Sequence, residues 1–302
     1  ASVGDEIVVT AAAVSTPSLA LGPGSSFGLD TLEEQPTINR DIRDVIALDP
    51  RVTFDSGFPD DNGAVSCLGA SERNNSLTID GVRIDDGFGL GSTPFPSEAQ
   101  PFPFEALSSV SVEFAPFDVQ YGLFSGCNIN VVTKSGSNDF YAAAHINWSP
   151  NFLRSNGRNL VTYDSATDSY IPSTDRRLDR AESLSTILEA GGPVIRDRLF
   201  VYGLVEMRRN TSREVNTLAG TSYEYISTDP FWGAKIDAYP LDNHHLEFTI
   251  FDTERTNERS DVQFTTDSNG QPVFGLADSV TDFNNGGLNY VGRYTGTFTQ
   301  WF

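Results

Sequence analysis

The chain has 302 residues, 38% hydrophobic and 20% charged, a balance too apolar for a disordered chain and too polar for helical membrane spans. Its 41 acidic residues against 20 basic ones give a net charge of −21, which repels phosphate backbones and excludes nucleic acid as an expected partner. No run of about 18 apolar residues occurs, so a transmembrane helix is excluded; amphipathic strands, whose signal per segment is weaker, are not.

The chain opens with neither a basic region nor an apolar stretch of signal-peptide type, so it reads as starting after any leader. Glu6, Ile7, Val8, Val9 and Thr10 form a β-prone island. Residues 11–26 are rich in Ala, Ser, Pro and Gly, which predicts an extended, flexible segment carrying one strand. Such a strand suits addition to a partner's sheet; an edge strand of the next domain is the alternative reading.

From residue 37 the pattern changes. Asn39 reads as the N-cap of a short helix over residues 40–48, with Ile42, Val45 and Ile46 on one face and Pro50 ending it. Residues 52–71 read as a Gly/Asp-rich loop, and residues 77–84 as strand, Asp-Gly turn and strand. A Gly- and Pro-rich loop with Phe88, Phe95 and Phe102 follows over residues 85–103. Residues 104–107 read as a short helix, residues 109–114 as a half-buried strand, and residues 129–133 as another strand closed by a turn. Cys67 and Cys127 are the two cysteines, without Cys-x-x-Cys spacing. In an oxidising compartment they pair; otherwise they are two separate buried thiols.

After residue 139 long alternating segments recur, around residues 142–148, 184–190, 234–239, 246–251 and 290–299. Residues 199–209 predict a further strand, apolar on both faces over residues 199–205, so its orientation is open. Residues 191–198 and 240–245 read as short turns, and residues 149–182, 210–229 and 254–287 as long polar loops. Short turns on one side and long loops on the other are the layout of an outer-membrane barrel, though a soluble antiparallel sandwich or propeller also gives alternating strands.

Catalytic signals are weak. His145, His244 and His245 are the only histidines, and neighbours in a strand face opposite ways, so His244 and His245 are not expected to share a metal. No Gly-x-Ser-x-Gly elbow is present, and no helix start follows the Gly-rich stretch 87–91. No metal, no cofactor and no enzymatic activity are expected. Asp85 and Asp86 suit cation binding or acid/base work, with a solvated loop as the plainer reading.

Four motifs in order carry a family resemblance: Glu6–Thr10; the Asn75-Ser76-Leu77-Thr78-Ile79-Asp80-Gly81-Val82 run; Phe117-Asp118-Val119-Gln120-Tyr121-Gly122 through Ile129–Gly136; and Leu199-Phe200-Val201-Tyr202-Gly203 after Gly191-Gly192-Pro193-Val194. Together they resemble the TonB-dependent outer-membrane receptors, in particular the Oar-like members. The resemblance implies an α+β plug domain followed by antiparallel transmembrane β-barrel strands, a part of a barrel of about 22 strands. It divides the chain into a TonB box and linker (1–36), a plug (37–138) and first barrel strands (139–302). It implies an active transporter in the bacterial outer membrane, lipid around it, and periplasmic TonB bound by strand addition at residues 6–10. An unknown extracellular substrate, with peptide or glycan as candidates, would meet the outward plug loops at Asp85, Asp86, Phe88, Phe95 and Phe102. Cys127 stands where many relatives have Gly, which makes a Cys67–Cys127 bridge a feature of this chain. The alternative function is a secreted or surface β-rich glycan- or peptide-binding module without transport.

Overall fold

A computed structural model describes residues 23–35, 40–55, 64–84, 102–114, 125–155, 157–174, 176–216, 219–268 and 272–298. The N-terminal unit contains β1 (Gly24–Phe27), α1 (Leu29–Glu34), α2 (Ile42–Ile46), β2 (Val52–Asp55), β3 (Ala64–Cys67), β4 (Ser76–Ile79), β5 (Val82–Arg83), β6 (Leu107–Phe114) and β7 (Cys127–Thr133). Five strands form one sheet in the order β1-β6-β7-β4-β5, with β4 parallel to β7 and the other pairs antiparallel. Val110, Val112 and Phe114 of β6, Ile129 of β7 and Leu77 and Ile79 of β4 are fully buried, and Leu32, Val45 and Ile46 of the two helices belong to the same core. The period-2 and period-3.6 patterns thus meet on one apolar layer.

Two expectations shift. β1 and α1 lie within residues 1–36, placed with the linker from sequence, yet β1 pairs with β6, so the folded unit starts earlier. The helix expected over residues 40–48 is Ile42–Ile46, capped by Asp41, whose carboxylate accepts from the Arg43 amide at 2.9 Å. Arg40 has a φ of 52°, a left-handed conformation that cannot start a helix. Just after the helix, the Arg51 guanidinium, at 2.7 Å, holds the buried Asp49 carboxyl well below the usual carboxylate range. That guanidinium also lies over the Phe114 ring, 4.2 Å from its centroid, tying the corner to the core. Cys67 and Cys127 are joined by a disulfide, with their Cα atoms 5.8 Å apart, linking the end of β3 to the start of β7.

The remaining strands are β8 (Tyr141–Ser149), the hairpin β9 (Leu160–Asp164) and β10 (Ser169–Thr174), β11 (Arg180–Ile195), β12 (Leu199–Asn216), β13 (Thr221–Ser227), β14 (Phe231–Leu241), β15 (His244–Asp252), β16 (Arg255–Thr266), β17 (Pro272–Asn285) and β18 (Leu288–Gly296). Apart from the β9–β10 hairpin they form one antiparallel nine-stranded sheet. Near the short turns its order is β8-β11-β12-β14-β15-β18, and at the far end β12 continues into β13-β16-β17. In chain order β13 leads into β14, β15 into β16, and β17 into β18, through breaks at residues 228–230, 253–254 and 286–287. The sheet is therefore a six-stranded meander whose later strands bend at one level. There the Thr253 amide donates to the Gly287 carbonyl at 3.0 Å, and the Thr256 amide donates to the Asp229 carboxylate. Gly286 suits the bend because its φ is +87° and a Cβ would come within 2.1 Å of the Thr253 carbonyl oxygen.

Residues 210–229 and 254–287 are thus largely paired strands and not the loops expected from sequence. They are polar and partly exposed, so backbone ladders hold them without an apolar alternation to reveal them.

Below the bend the alternation is strict. Ala142, Ala144, Ile146 and Trp148 of β8 face outward, as do Leu184 and Leu188 of β11, Val201 and Met207 of β12, Trp232 and Ile236 of β14, and Leu246 and Phe248 of β15. None of these carries a charge. The opposite face holds His145, Glu189, Glu206, Lys235, Asp237 and Glu247. β12, whose orientation the sequence left open, points Phe200, Tyr202 and Leu204 inward. An apolar exterior over a polar interior is what lipid demands of a spanning sheet. Ile236→Arg is accordingly expected to destabilise by about 2–4 kcal/mol in a bilayer, measured by reversible unfolding into lipid vesicles, whereas a loss near zero would mean this face meets water.

Candidate functional site

The N-terminal unit is seated on the polar inner face of the long sheet, and the contact centres on one turn. Asp80 and Gly81, with φ values of 48° and 81°, make the tight turn between β4 and β5. Asp and Gly tolerate that geometry, which is why the pair stood out in the sequence. The turn aims the Asp80 carboxylate across the end of β7, where it accepts from the Thr133 amide at 3.0 Å and from the Thr133 hydroxyl at 2.7 Å. On its far side stand Lys235 of β14, with Nζ at 3.3 Å, and the Thr249 hydroxyl of β15 at 3.4 Å. Asp80 and Lys235 are each only 2% exposed. Lys235 also reaches Glu247 at 3.6 Å, and Glu247 is held by Arg293 of β18 at 2.8 Å. A charge chain therefore runs from the N-terminal unit across three neighbouring wall strands.

A second contact mirrors the first. Lys134, just after β7, donates to Glu189 of β11 at 3.0 Å, and the Tyr202 hydroxyl donates to the same carboxylate at 2.8 Å. Lys134 and Lys235 are the only lysines of the chain, and each bridges the unit to the wall, in opposite directions. Glu105 adds a third link, accepting from Arg40 at 2.9 Å and from Asn147 of β8 at 3.3 Å.

Of the site residues expected from sequence, Glu6, Ile7, Val8, Val9, Thr10, Asp85, Asp86, Phe88 and Phe95 lie outside the described residues. Phe102 is described and is not an exposed ligand contact. It is 7% exposed, with its ring 4.5 Å from Phe251 and 5.2 Å from Phe231, so it packs the unit against the wall. That Lys235, Glu247 and Glu189 join the N-terminal unit is not visible in the sequence, because nothing local pairs residues 155 positions apart. Beside the bend lies a cavity of about 760 Å³, lined by Arg154, Glu182, Asn210, Tyr225, Arg255 and Asn257 among others. Several of these fall in segments that read as loops, and their mixed donors and acceptors suit a polar ligand.

Residues 21–126 match the family model of the TonB-dependent receptor plug domain. The N-terminal unit has the fold of a TonB-dependent receptor plug. Over 147 residues, 48% of its length, the chain is 26% identical to the TonB-dependent transporter Oar of Myxococcus xanthus and spans 12% of that protein. It is also similar to solved forms of the ferric enterobactin receptor of Pseudomonas aeruginosa. A variant of that receptor in complex with enterobactin aligns at a TM-score of 0.54 and 12% identity, covering 89% of this chain and 46% of the receptor. The complex with BCV-L6 aligns at 0.52 and 11% identity, covering 86% and 44%. These likenesses concern the fold: a plug followed by antiparallel barrel strands. The three links above are accordingly plug–barrel contacts, and the long sheet is barrel wall.

Proposed function

We propose that this chain is part of an outer-membrane transporter driven through TonB. The observation that supports this reading best is a plug anchored by buried ion pairs to a wall whose exterior is apolar and whose interior is charged. In this reading residues 6–10 add a strand to periplasmic TonB. Main-chain hydrogen bonds supply the affinity there, so no pocket is needed. The pull, powered by the inner-membrane proton gradient, then acts on the plug and its links to the wall, and substrate passes where those links give way. The plug segment 85–101 and the polar cavity beside the bend are the proposed places where substrate is met. Beside the likeness to an Oar transporter and to ferric enterobactin receptors, peptide, glycan and metal chelate are the candidate substrates. A secreted binding module without transport is less favoured, because a water-soluble sheet would not expose Trp148, Leu188, Ile236 and Phe248 on one uncharged face.

Val8→Pro tests the coupling step, because proline removes a ladder donor in the middle of the added strand. The expected outcome is loss of binding to an immobilised TonB C-terminal domain with unchanged thermal unfolding of the plug. Undiminished binding would overturn strand addition at this segment.

A further inference from the structure

Next to the plug anchor, on the inner face of the β14–β15 hairpin, three ligand-bearing side chains converge in a way the transport reading does not use. Asp237 and Glu247 face each other in the register, and His245 lies two residues before Glu247 on the same face. One ligand atom from each of the three lies within 4.8 Å of the others. The opposed faces of His244 and His245 do keep those two apart: His244 stacks on Tyr294, whereas His245 stacks on Tyr239 with ring centroids 4.5 Å apart. What the sequence conceals is that the hairpin brings carboxylates to His245 from across the strand and along it.

Two of these groups are incompletely satisfied. Asp237 is 4% exposed and Glu247 5% exposed. Asp237 Oδ1 is 2.8 Å from His245 Nε2, but Asp237 Oδ2 has no hydrogen-bond partner among the described residues. Glu247 Oε2 is held by Arg293 and Lys235, but Glu247 Oε1 likewise has none. Buried carboxylate oxygens left bare are costly, and a cation held among these three side chains would satisfy them. Protonating His245 satisfies only the Asp237 oxygen that it already touches. Lys235 and Arg293 offset two of the three nearby carboxylates, Asp80, Asp237 and Glu247, and leave a net negative charge.

We propose that Asp237, His245 and Glu247 form a divalent-cation site of the zinc class on the barrel wall. One imidazole nitrogen and two carboxylate oxygens are a donor set that zinc accepts, with water in the remaining position. Metal–ligand bonds of about 2.0–2.2 Å put the ligand atoms roughly 3.3 Å apart, a side-chain adjustment in which His245 Nε2 and Asp237 Oδ1 open slightly from 2.8 Å. The Tyr239 ring and the Arg293 guanidinium already orient His245 and Glu247, as supporting partners do around metal sites. His245 is partly exposed, which leaves a path for the ion. Binding takes the lone pair of Nε2. This proposal stands apart from the transport reading and does not depend on it.

The test is zinc binding by the intact, chelator-stripped protein in detergent, titrated against a chromophoric competitor with bound metal counted by elemental analysis. One zinc per chain is expected at micromolar free zinc. His245→Gln and Asp237→Asn should each weaken it by at least about tenfold, the size that loss of even a supporting partner produces. His244→Gln, on the opposite face, should leave it unchanged. No zinc uptake by the wild-type protein, or equal loss from His244→Gln and His245→Gln, overturns the site. X-ray absorption of the zinc-loaded wild type needs no variant. A first shell with one imidazole and oxygens supports the proposal, and a shell without imidazole sinks it.

Discussion

Lys235→Met is expected to lower the stability of the intact protein by about 3–5 kcal/mol, because it leaves the Asp80 carboxylate buried without its cation. Asp80 keeps its bonds from Thr133, but these neutral donors do not replace a full charge at 3.3 Å in a site closed to water. Lys235 reaches Glu247 as well, so its loss also loosens the second carboxylate of the chain. The combined variant Asp80→Asn with Lys235→Met should recover much of the loss, since removing both charges leaves no orphan. Thermal unfolding of the detergent-solubilised protein, run as a double-mutant cycle, measures this directly. A loss below about 1 kcal/mol for the single variant would place the pair with solvent-screened surface ion pairs and contradict a buried anchor.

The second large effect belongs to the disulfide. Cys67 and Cys127 are 60 residues apart, and a cross-link closing a loop of that size stabilises by about 4 kcal/mol in the chain-entropy model. Replacing both with Ser should cost the plug about that much, seen as a lower plug unfolding temperature and faster proteolysis in the segments between β3 and β7. The wild-type protein treated with reductant should behave like the double variant. The Asn75 side chain, which donates to the Val65 carbonyl at 2.8 Å and accepts from the Cys127 amide at 3.2 Å, keeps the two strand ends together in the reduced state. Unchanged unfolding in both tests would mean that the reduced, unfolded chain is already constrained there.

The strands of the plug and the lower barrel wall were legible in the sequence wherever one face is buried. Val110, Val112 and Phe114 alternate with polar residues, and so do Leu246, Phe248 and Ile250, because each strand separates two unlike environments. The Asp80-Gly81 turn was legible because its backbone demands those residue types. The strands β13, β16 and β17 were not, because they lie beyond the bend, where no contrast between faces imposes a pattern. The helix expected from Arg40 starts two residues later, at Ile42, because the left-handed Arg40 cannot begin it and Asp41 caps it. Least legible was the site itself. Lys235 looked like one lysine in a polar strand, and the partners that give it meaning come from the plug and from two neighbouring strands. His245 locally stands opposed to His244, while one of its partners, Asp237, sits across the hairpin and the other, Glu247, two residues along its own strand.

We propose that the wall faces lipid and that TonB engages the plug through residues 6–10. The most direct measurement is fractionation of cells expressing the intact protein, with gel mobility compared before and after boiling and a TonB pull-down on the same fraction. A heat-modifiable protein in the outer membrane that TonB captures through residues 6–10 is the expected result. Protein that stays in solution without detergent and ignores TonB would contradict it.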